Sequence, residues 1–313
     1  RMIIYGAGLA GLLAGNMLRS FSPIIYEAQS ELPNNQGALL RFRTDKVGTA
    51  CAIPFKKVKV HKAIKYSGEL HNETSLFLSN LYSQKVTGSI LNRSINSLNS
   101  VDRYIAPWEL INTMSRNCKI EYDMKLTKAA VNDMGVVPTI STIPMPTLMD
   151  IMGWPDKPEF PTQKIWTQKA RIESPDCKVH QTIYYPDPTV PYYRISLVGD
   201  VVISEFIRKP EANIGPHIMD VLLEDFGIKP NKLVDMKSSE QYLGKIKPIN
   251  EEIRKQFIFE MTTKYGIYSL GRFATWRQIL LDDVAEDVQH IENFIRSSSS
   301  YSRLIHSQKG ETQ

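Results

Sequence analysis

Three glycines near the start of the chain have the spacing of a phosphate-binding turn. Gly6, Gly8 and Gly11 form a Gly-x-Gly-x-x-Gly pattern, and an acidic residue, Glu27, follows further along. The first glycine permits a tight turn, the second lets the backbone approach a pyrophosphate, and the third lets a helix pack against a strand. The N-terminus of that helix would offer N–H groups and a positive dipole end to phosphates. Because a carboxylate can accept both hydroxyls of an adenosine ribose, the pattern predicts dinucleotide binding.

The residues around these glycines predict the elements that must position them. Residues 2–5 are a short apolar run suited to a buried parallel strand, residues 12–18 have helical periodicity, and residues 24–26 are a second apolar run that ends at Glu27. This is a βαβ unit with its glycines and its acid in register. The predicted cofactor contacts in this unit are Gly6, Ala7, Gly8, Leu9, Ala10, Gly11, Glu27 and Ala28.

Further residues favour FAD as the dinucleotide. Gly15 extends the glycine pattern, and the loop after Glu27 ends in Gly37, which is followed by Arg41 and Arg43. This arrangement resembles the flavoprotein version of the motif, in which a second glycine-bearing loop passes beside the pyrophosphate and the flavin. Most of that family have two adjacent glycines there, whereas the first is Gln36 here. The resemblance implies FAD, with Gly37, Arg41 and Arg43 beside it, and no cysteine lies in a context for covalent attachment.

The C-terminal third contains a second matching segment. Gly271 and Arg272 follow an apolar run and precede a segment with helical character. They resemble the closing segment of UDP-galactopyranose mutase and its amine-oxidase and protoporphyrinogen-oxidase-like relatives, where a Gly-Arg pair ends the last strand and the next helix points its N-terminus at the flavin. Residues 141–146 and 192–195 resemble a strand-to-proline crossover and an arginine-bearing substrate strand of the same superfamily. The resemblance, which covers about half the chain, adds these expected cofactor contacts: Pro144, Gly271, Arg272, Trp276 and Ile279.

The chain also departs from the mutase. That enzyme closes on its UDP-sugar with two tyrosines, and the corresponding positions here are Ile246 or Lys247 and Gln278. The paired histidines of its flavin-proximal loop are missing as well. The catalytic residue is not identified by sequence; the candidates are Arg43, Arg194 and Gln278. Trp276 fits both a place beside the flavin ring and a place in the core.

The order of the predicted elements indicates an α/β fold, with a Rossmann-like FAD-binding domain and an inserted, sheet-rich α+β substrate domain. The FAD-binding domain is predicted to be discontinuous, over 1–50, 100–152 and 262–296. The substrate domain is predicted over 51–99 and 153–261, with a hairpin at 192–207 that turns at Gly199-Asp200. A last helix is expected over 276–295, followed by a flexible tail over 297–313.

Composition restricts the class of protein. The 313 residues are 42% hydrophobic and 23% charged, which excludes a disordered or collagen-like chain. The three cysteines are far apart and the six histidines lack zinc-site spacing, so no metal is expected. A strand-like segment stands where a signal peptide would, and no apolar run is long enough for a membrane span, so a cytoplasmic location is expected. The net charge of +5 is spread along the chain, and its densest part, 56–65, favours a solvated strand over a phosphate-binding patch.

In this superfamily the flavin does the chemistry and the protein supplies orientation and electrostatics. The resemblance implies an FAD-dependent oxidoreductase of the amine-oxidase-like class that acts at a nitrogen-bearing carbon. Small flavoenzymes of this type occur in phages that remodel amino-acid-decorated thymine bases, so a nucleic-acid-linked amine and DNA itself are compatible partners, beside a small-molecule amine; no membrane partner is expected. Two alternatives stay open: a mutase-like non-redox flavoenzyme, and a binding or scaffold protein that retains FAD.

Overall fold

The computed structural model describes residues 2–32, 41–90, 95–133, 137–173, 175 and 178–310, with the backbone alone at 133 and 299–310. The strands are β1 (Met2–Tyr5), β2 (Pro23–Tyr26), β3 (Arg41–Phe42), β4 (Lys56–Tyr66), β5 (Glu69–His71), β6 (Val101–Ile105), β7 (Lys119–Glu121), β8 (Thr139–Ser141), β9 (Thr162–Ile172), β10 (Val179–Tyr184), β11 (Tyr192–Gly199), β12 (Val201–Phe206), β13 (Leu233–Ile246) and β14 (Ile267–Ser269). The helices are α1 (Leu9–Met17), α2 (Lys46–Cys51), α3 (Leu76–Thr87), α4 (Leu110–Arg116), α5 (Lys128–Asp133), α6 (Met145–Met152), α7 (Ile214–Phe226), α8 (Glu251–Tyr265) and α9 (Leu281–Gly310), with short 3-10 helices at Arg19–Phe21 and Pro230–Lys232.

One sheet is parallel and lies between two layers of helices. Its strand order is β14-β8-β1-β2-β7, and every neighbouring pair runs in the same direction. Successive residues of β1 face opposite sides, so Ile4 packs with α1 and α9 while Tyr5 packs with α6 and α8. Burial on both faces explains why these strands are short apolar runs in the sequence. This is the predicted Rossmann-like arrangement.

The second sheet is larger and mostly antiparallel. Its order is β13-β9-β12-β11-β10-β4-β6-β3, and β5 pairs with β4; only the β10–β4 pair is parallel. Helix α7 covers one face, and α3 covers one end of the other. The remainder of that second face carries polar side chains, among them Thr182 and Ser196, whose hydroxyl groups are hydrogen-bonded to each other.

Most predicted elements are confirmed, and the exceptions have local causes. The hairpin of β11 and β12 turns at Gly199 with φ +63°, as predicted. The last helix begins at Leu281 rather than near Trp276, because residues 272–276 form turns and Trp276 itself adopts φ +48°. That helix also continues to Gly310, through most of the predicted tail, while residues 311–313 lie outside the described part. The domain boundaries stay a prediction; β3 and β6, which we assigned to the FAD-binding domain, pair within the second sheet.

Candidate cofactor and substrate site

The glycine turn joins β1 to α1 at the carboxyl edge of the parallel sheet. Gly6 adopts φ +98°, and its N–H donates to the carbonyl of Tyr26 at 2.8 Å, which ties the turn to β2. A Cβ on Gly11 would lie 1.9 Å from the carbonyl oxygen of Gly6, so α1 can pack this close to the turn only with glycine there. The sequence motif therefore folds as predicted.

Gly8 faces open space. It is the N-cap of α1 with an extended backbone (φ −70°, ψ 179°), and a Cβ built on it would meet no described atom within 4 Å. The first turn of α1 contains no acidic residue that would compete for its N–H groups. A helix N-terminus with free N–H groups beside an open glycine fits the phosphates of a dinucleotide.

Glu27 reaches back to this turn from the end of β2. Its side chain is buried, and its two oxygens accept from the backbone N–H groups of Ala7 at 2.7 Å and Gln29 at 3.0 Å. An ionised carboxylate has about four acceptor positions, so about two remain for ribose hydroxyls. Glu27 is thus already held in place for the role that its position in the motif predicts. Its neighbour Ala28 is exposed.

The ends of two further parallel strands meet the same turn. After β8, the hydroxyl of Thr142 donates to the carbonyl of Tyr5 at 2.9 Å. After β14, Gly271 has φ +97°, and a Cβ there would lie 2.9 Å from Cβ of Ala10. Pro144 precedes α6 as its N-cap at this edge. Ligands of open α/β sheets bind at this kind of edge, outside the carboxyl ends of the strands.

Trp276 and Ile279 lie between the sheet edge and the start of α9. The Trp276 ring is buried and packs edge-on against Phe160 with centroids 4.7 Å apart, and its indole N–H donates to the carbonyl of Lys247 at 2.9 Å. The structure therefore gives Trp276 a core position, the second of the two that its sequence context allowed. Ile279 is half-buried and packs against the cluster that contains α1 and α9.

The N-terminus of α9 differs from our expectation. Asp282 and Asp283 occupy its first turn. Asp282 accepts from both the backbone N–H (3.0 Å) and the hydroxyl (2.6 Å) of Thr44, while Asp283 accepts from Arg43 at 2.9 Å. Its own carboxylates therefore neutralise this helix terminus, and they hold Arg43 in a half-exposed ion pair. The prediction that this helix starts near Trp276 is wrong, because it begins at Leu281; that its N-terminus faces a flavin stays a prediction.

Arg41 and Arg194 lie on the polar face of the second sheet. Arg41 donates to the hydroxyl of Thr182 at 3.1 Å, and Arg194 makes a two-pronged ion pair with Glu205 whose Nη2–Oε1 distance is 2.7 Å. Burial, followed by the like charge of Arg194, lowers the pKa of Arg41 to about 10. Burial acts against ionisation of Glu205, but the adjacent Arg194 outweighs it and the pKa of Glu205 is lowered.

The structure adds Lys245, which the sequence reasoning missed. Its Nζ lies 4.7 Å from the ring centre of Tyr193, and burial, followed by the charges of Arg194 and Arg272, lowers its pKa to about 8 although Glu205 acts in the opposite direction. Arg272 donates to the carbonyl of the neighbouring Gly244 at 3.4 Å. No local pattern identifies Lys245, because only the pairing of β13 with β9 brings it to this face.

Gln278 contacts Ile246, one of the two residues, with Lys247, that we expect at the other tyrosine position of the mutase. Its side-chain amide donates to the carbonyl of Ile246 at 3.0 Å, and Ile246 is buried. Gly37, the remaining predicted cofactor contact, lies outside the described residues.

Other site classes find little support in the described part of the chain. Burial raises the pKa of both Cys51 and Cys118 to about 11, and Cys177 lies outside the described residues. No group of three potential metal ligands occurs among the described residues. None of the described helices is both long and apolar enough to cross a membrane.

Comparison with known proteins identifies the fold of this chain but does not assign the chain to a family. No family model matches the sequence, and no curated protein matches it significantly. Among solved structures, reduced UDP-galactopyranose mutase is similar with a TM-score of 0.61 at 14% identity, over 88% of this chain and 90% of that one. An oxidoreductase from Methanosarcina mazei gives 0.59 at 11% identity, over 93% and 99%. A protein from Exiguobacterium sp. 255-15, provisionally assigned as a protoporphyrinogen oxidase, gives 0.56 at 12% identity, over 94% and 98%. The predicted resemblance is thereby confirmed as one of fold: this chain has the fold of UDP-galactopyranose mutase and of protoporphyrinogen-oxidase-like oxidoreductases.

Proposed function

We propose that the protein is an FAD-dependent oxidoreductase of the amine-oxidase-like class. The observation that carries the proposal is the open Gly8 at the N-terminus of α1, with Glu27 held beside it at the end of β2. In this proposal the N–H groups of α1 bind the pyrophosphate and Glu27 binds the ribose. Bound non-covalently, FAD supplies a two-electron acceptor for the substrate.

The chain's own residues prepare the two sides of this site. Gly271 allows the end of β14 to approach Ala10, which brings the last parallel strand against the glycine turn. On the polar face of the second sheet, Arg194 is oriented by Glu205, which also accepts from the Tyr193 hydroxyl at 3.1 Å. We assign the first side to the cofactor and the second to the substrate.

For the substrate we propose a carbon that bears nitrogen, in a small amine or in an amine linked to nucleic acid, such as an amino-acid-modified thymine base in DNA. Support for the DNA form comes from β4, on which Lys57, Lys59 and His61 alternate with the buried Val58 and Val60 and are exposed. The alternative, that β4 is simply a solvent-exposed strand, is also supported, since Lys57 forms a salt bridge with Asp102 at 3.0 Å. A cytoplasmic location is part of the same proposal.

The test is reduction of the bound flavin by substrate. The purified protein is incubated without oxygen with a panel of amines and modified nucleosides, and the visible absorbance of the flavin is followed. We expect one class of amine to bleach the flavin with no added reductant. A flavin that responds to dithionite alone would contradict amine oxidation.

The second candidate is a mutase-like, non-redox flavoenzyme, which the likeness to UDP-galactopyranose mutase favours. Against it, the residues that we expect at the mutase's tyrosine positions are Gln278 and either Ile246 or Lys247, and none of these side chains has a phenol to donate to a pyrophosphate. Turnover of a UDP-sugar by the dithionite-reduced protein, with no net change in the flavin redox state, would support the mutase-like function over amine oxidation.

A further inference from the structure

We infer that the substrate carries an anionic oxygen group, a carboxylate or a phosphate, and that this group binds among Arg41, Arg194 and Lys245 on the polar face of the second sheet. The inference rests on the proposed function, because it concerns the substrate side of the same site. It adds to the nitrogen-bearing carbon a second requirement on the substrate, namely an anionic oxygen group.

Cations from four distant segments converge at this place. Arg41 lies on β3, Arg194 on β11 and Lys245 on β13, and Arg272 follows β14 of the parallel sheet. Lys245 and Arg194 both approach the ring of Tyr193, at 4.7 and 5.9 Å from its centre. Because Arg272 donates to the carbonyl next to Lys245, the cluster borders the sheet edge where the cofactor is proposed to bind.

The cluster contains more positive than negative charge. Glu205 is already engaged, by the two-pronged bond from Arg194 and by the Tyr193 hydroxyl. Among the described residues, neither Arg41 nor Lys245 makes an ion pair, and the segment 33–40 that precedes Arg41 contains no acidic residue. The cations consequently act on one another: Arg194 lowers the pKa of both Arg41 and Lys245.

A partly buried cation without a counter-ion is unfavourable, so the arrangement favours an anion that supplies the missing charge. Arg41 is also positioned for such a ligand, since its donation to Thr182 fixes one guanidinium nitrogen and no other described residue accepts from the remaining ones. Thr182 is in turn hydrogen-bonded to Ser196 at 3.1 Å, and both hydroxyl groups are buried. A planar guanidinium and a nearby ammonium suit carboxylate or phosphate oxygens.

The test uses the flavin-loaded protein and small anions as probes. Acetate, inorganic phosphate and neutral acetamide are titrated at constant ionic strength, and the flavin absorbance spectrum and the unfolding temperature are recorded. The variants are Arg41→Met and Lys245→Met, with Arg41→Lys to restore the charge. Lys237→Met is the matched control, because Lys237 is an exposed lysine of the same strand β13.

We expect acetate or phosphate to bind and acetamide not to bind. Each methionine variant should raise the anion dissociation constant about tenfold or more, with Arg41→Lys intermediate and Lys237→Met equal to the parent. The better of the two anions identifies the substrate group as a carboxylate or a phosphate.

Two results would overturn the inference while FAD stays bound: no discrimination between the anions and acetamide, or parental affinity in both methionine variants. In the flavin-free protein, anion binding that added FAD displaces would also overturn it, because the cations would then bind the cofactor's phosphates. A protein that binds no FAD refutes the proposed function instead. In that case the same titration of the flavin-free protein still decides whether the cluster binds an anion.

Discussion

Replacing Gly8 by valine tests the phosphate-binding role of the glycine turn without disturbing its fold. The backbone of Gly8 is extended, so any residue can adopt it, and a Cβ there meets no described atom within 4 Å. The isolated cost of valine at an N-cap is about 1 kcal/mol of folding stability. The variant should therefore fold, with an unfolding temperature only a few degrees lower.

The effect on FAD should be much larger. The two methyl groups would occupy the space in front of the first N–H groups of α1, where the pyrophosphate is proposed to lie. Loss of two charge-assisted hydrogen bonds, at about 1.5–3 kcal/mol each, amounts to about 3–6 kcal/mol. The FAD dissociation constant should consequently rise by about 10² to 10⁴.

The assay is titration of flavin-free protein with FAD, followed by the change in flavin fluorescence. Gly215→Val is the matched control, since Gly215 also faces open space but lies in α7, on the second sheet. The Gly11→Ala variant, in contrast to Gly8→Val, should fail to fold, because the alanine Cβ would lie 1.9 Å from the Gly6 carbonyl oxygen. A folded Gly8→Val protein with parental FAD affinity would refute the assignment of this turn.

Four further predictions follow from the site. UDP should not bind with micromolar affinity, because the phenols of the mutase are missing; calorimetry that detects such binding would restore the mutase hypothesis. If the substrate is linked to DNA, binding should weaken steeply with salt and after Lys57→Glu combined with Lys59→Glu, whereas unchanged affinity of the variant in a gel-shift assay would show that this strand only faces solvent. Arg272→Ala should weaken FAD retention or slow flavin reduction, and Gln278→Ala should affect turnover more than flavin content. If both variants keep the parental flavin occupancy and reduction rate, these two residues do not belong to the site. Anion affinity should fall as pH rises through about 8, because Lys245 loses its charge there, and Lys245→Met should flatten that profile; an unchanged profile in the variant would assign the titration to another group.

The parts of the fold that depend on short-range pattern are predictable from sequence. The turn at Gly6, the packing at Gly11 and the acid at Glu27 belong to one contiguous βαβ unit, so their spacing determines their geometry. The hairpin at Gly199 is equally local. Parallel strands that are buried on both faces appear in the sequence as short apolar runs, and these runs predict the order of the elements.

The remaining features depend on contacts between distant segments. The start of α9 is displaced to Leu281 because Trp276 turns back to donate to Lys247, and because Asp282 binds Thr44 far away in the sequence. Lys245 joins Arg194 only through the ladders that connect β13 to β11. Neither arrangement produces a periodicity or a motif in the sequence.

Identification of the released cofactor shows whether the glycine turn holds one FAD. The protein is purified without added flavin, denatured, and the supernatant and the chain are both analysed by mass spectrometry. We expect FAD in the supernatant at one molecule per chain and an unmodified polypeptide mass. A folded protein that releases no flavin, and binds none when FAD is added, would contradict it.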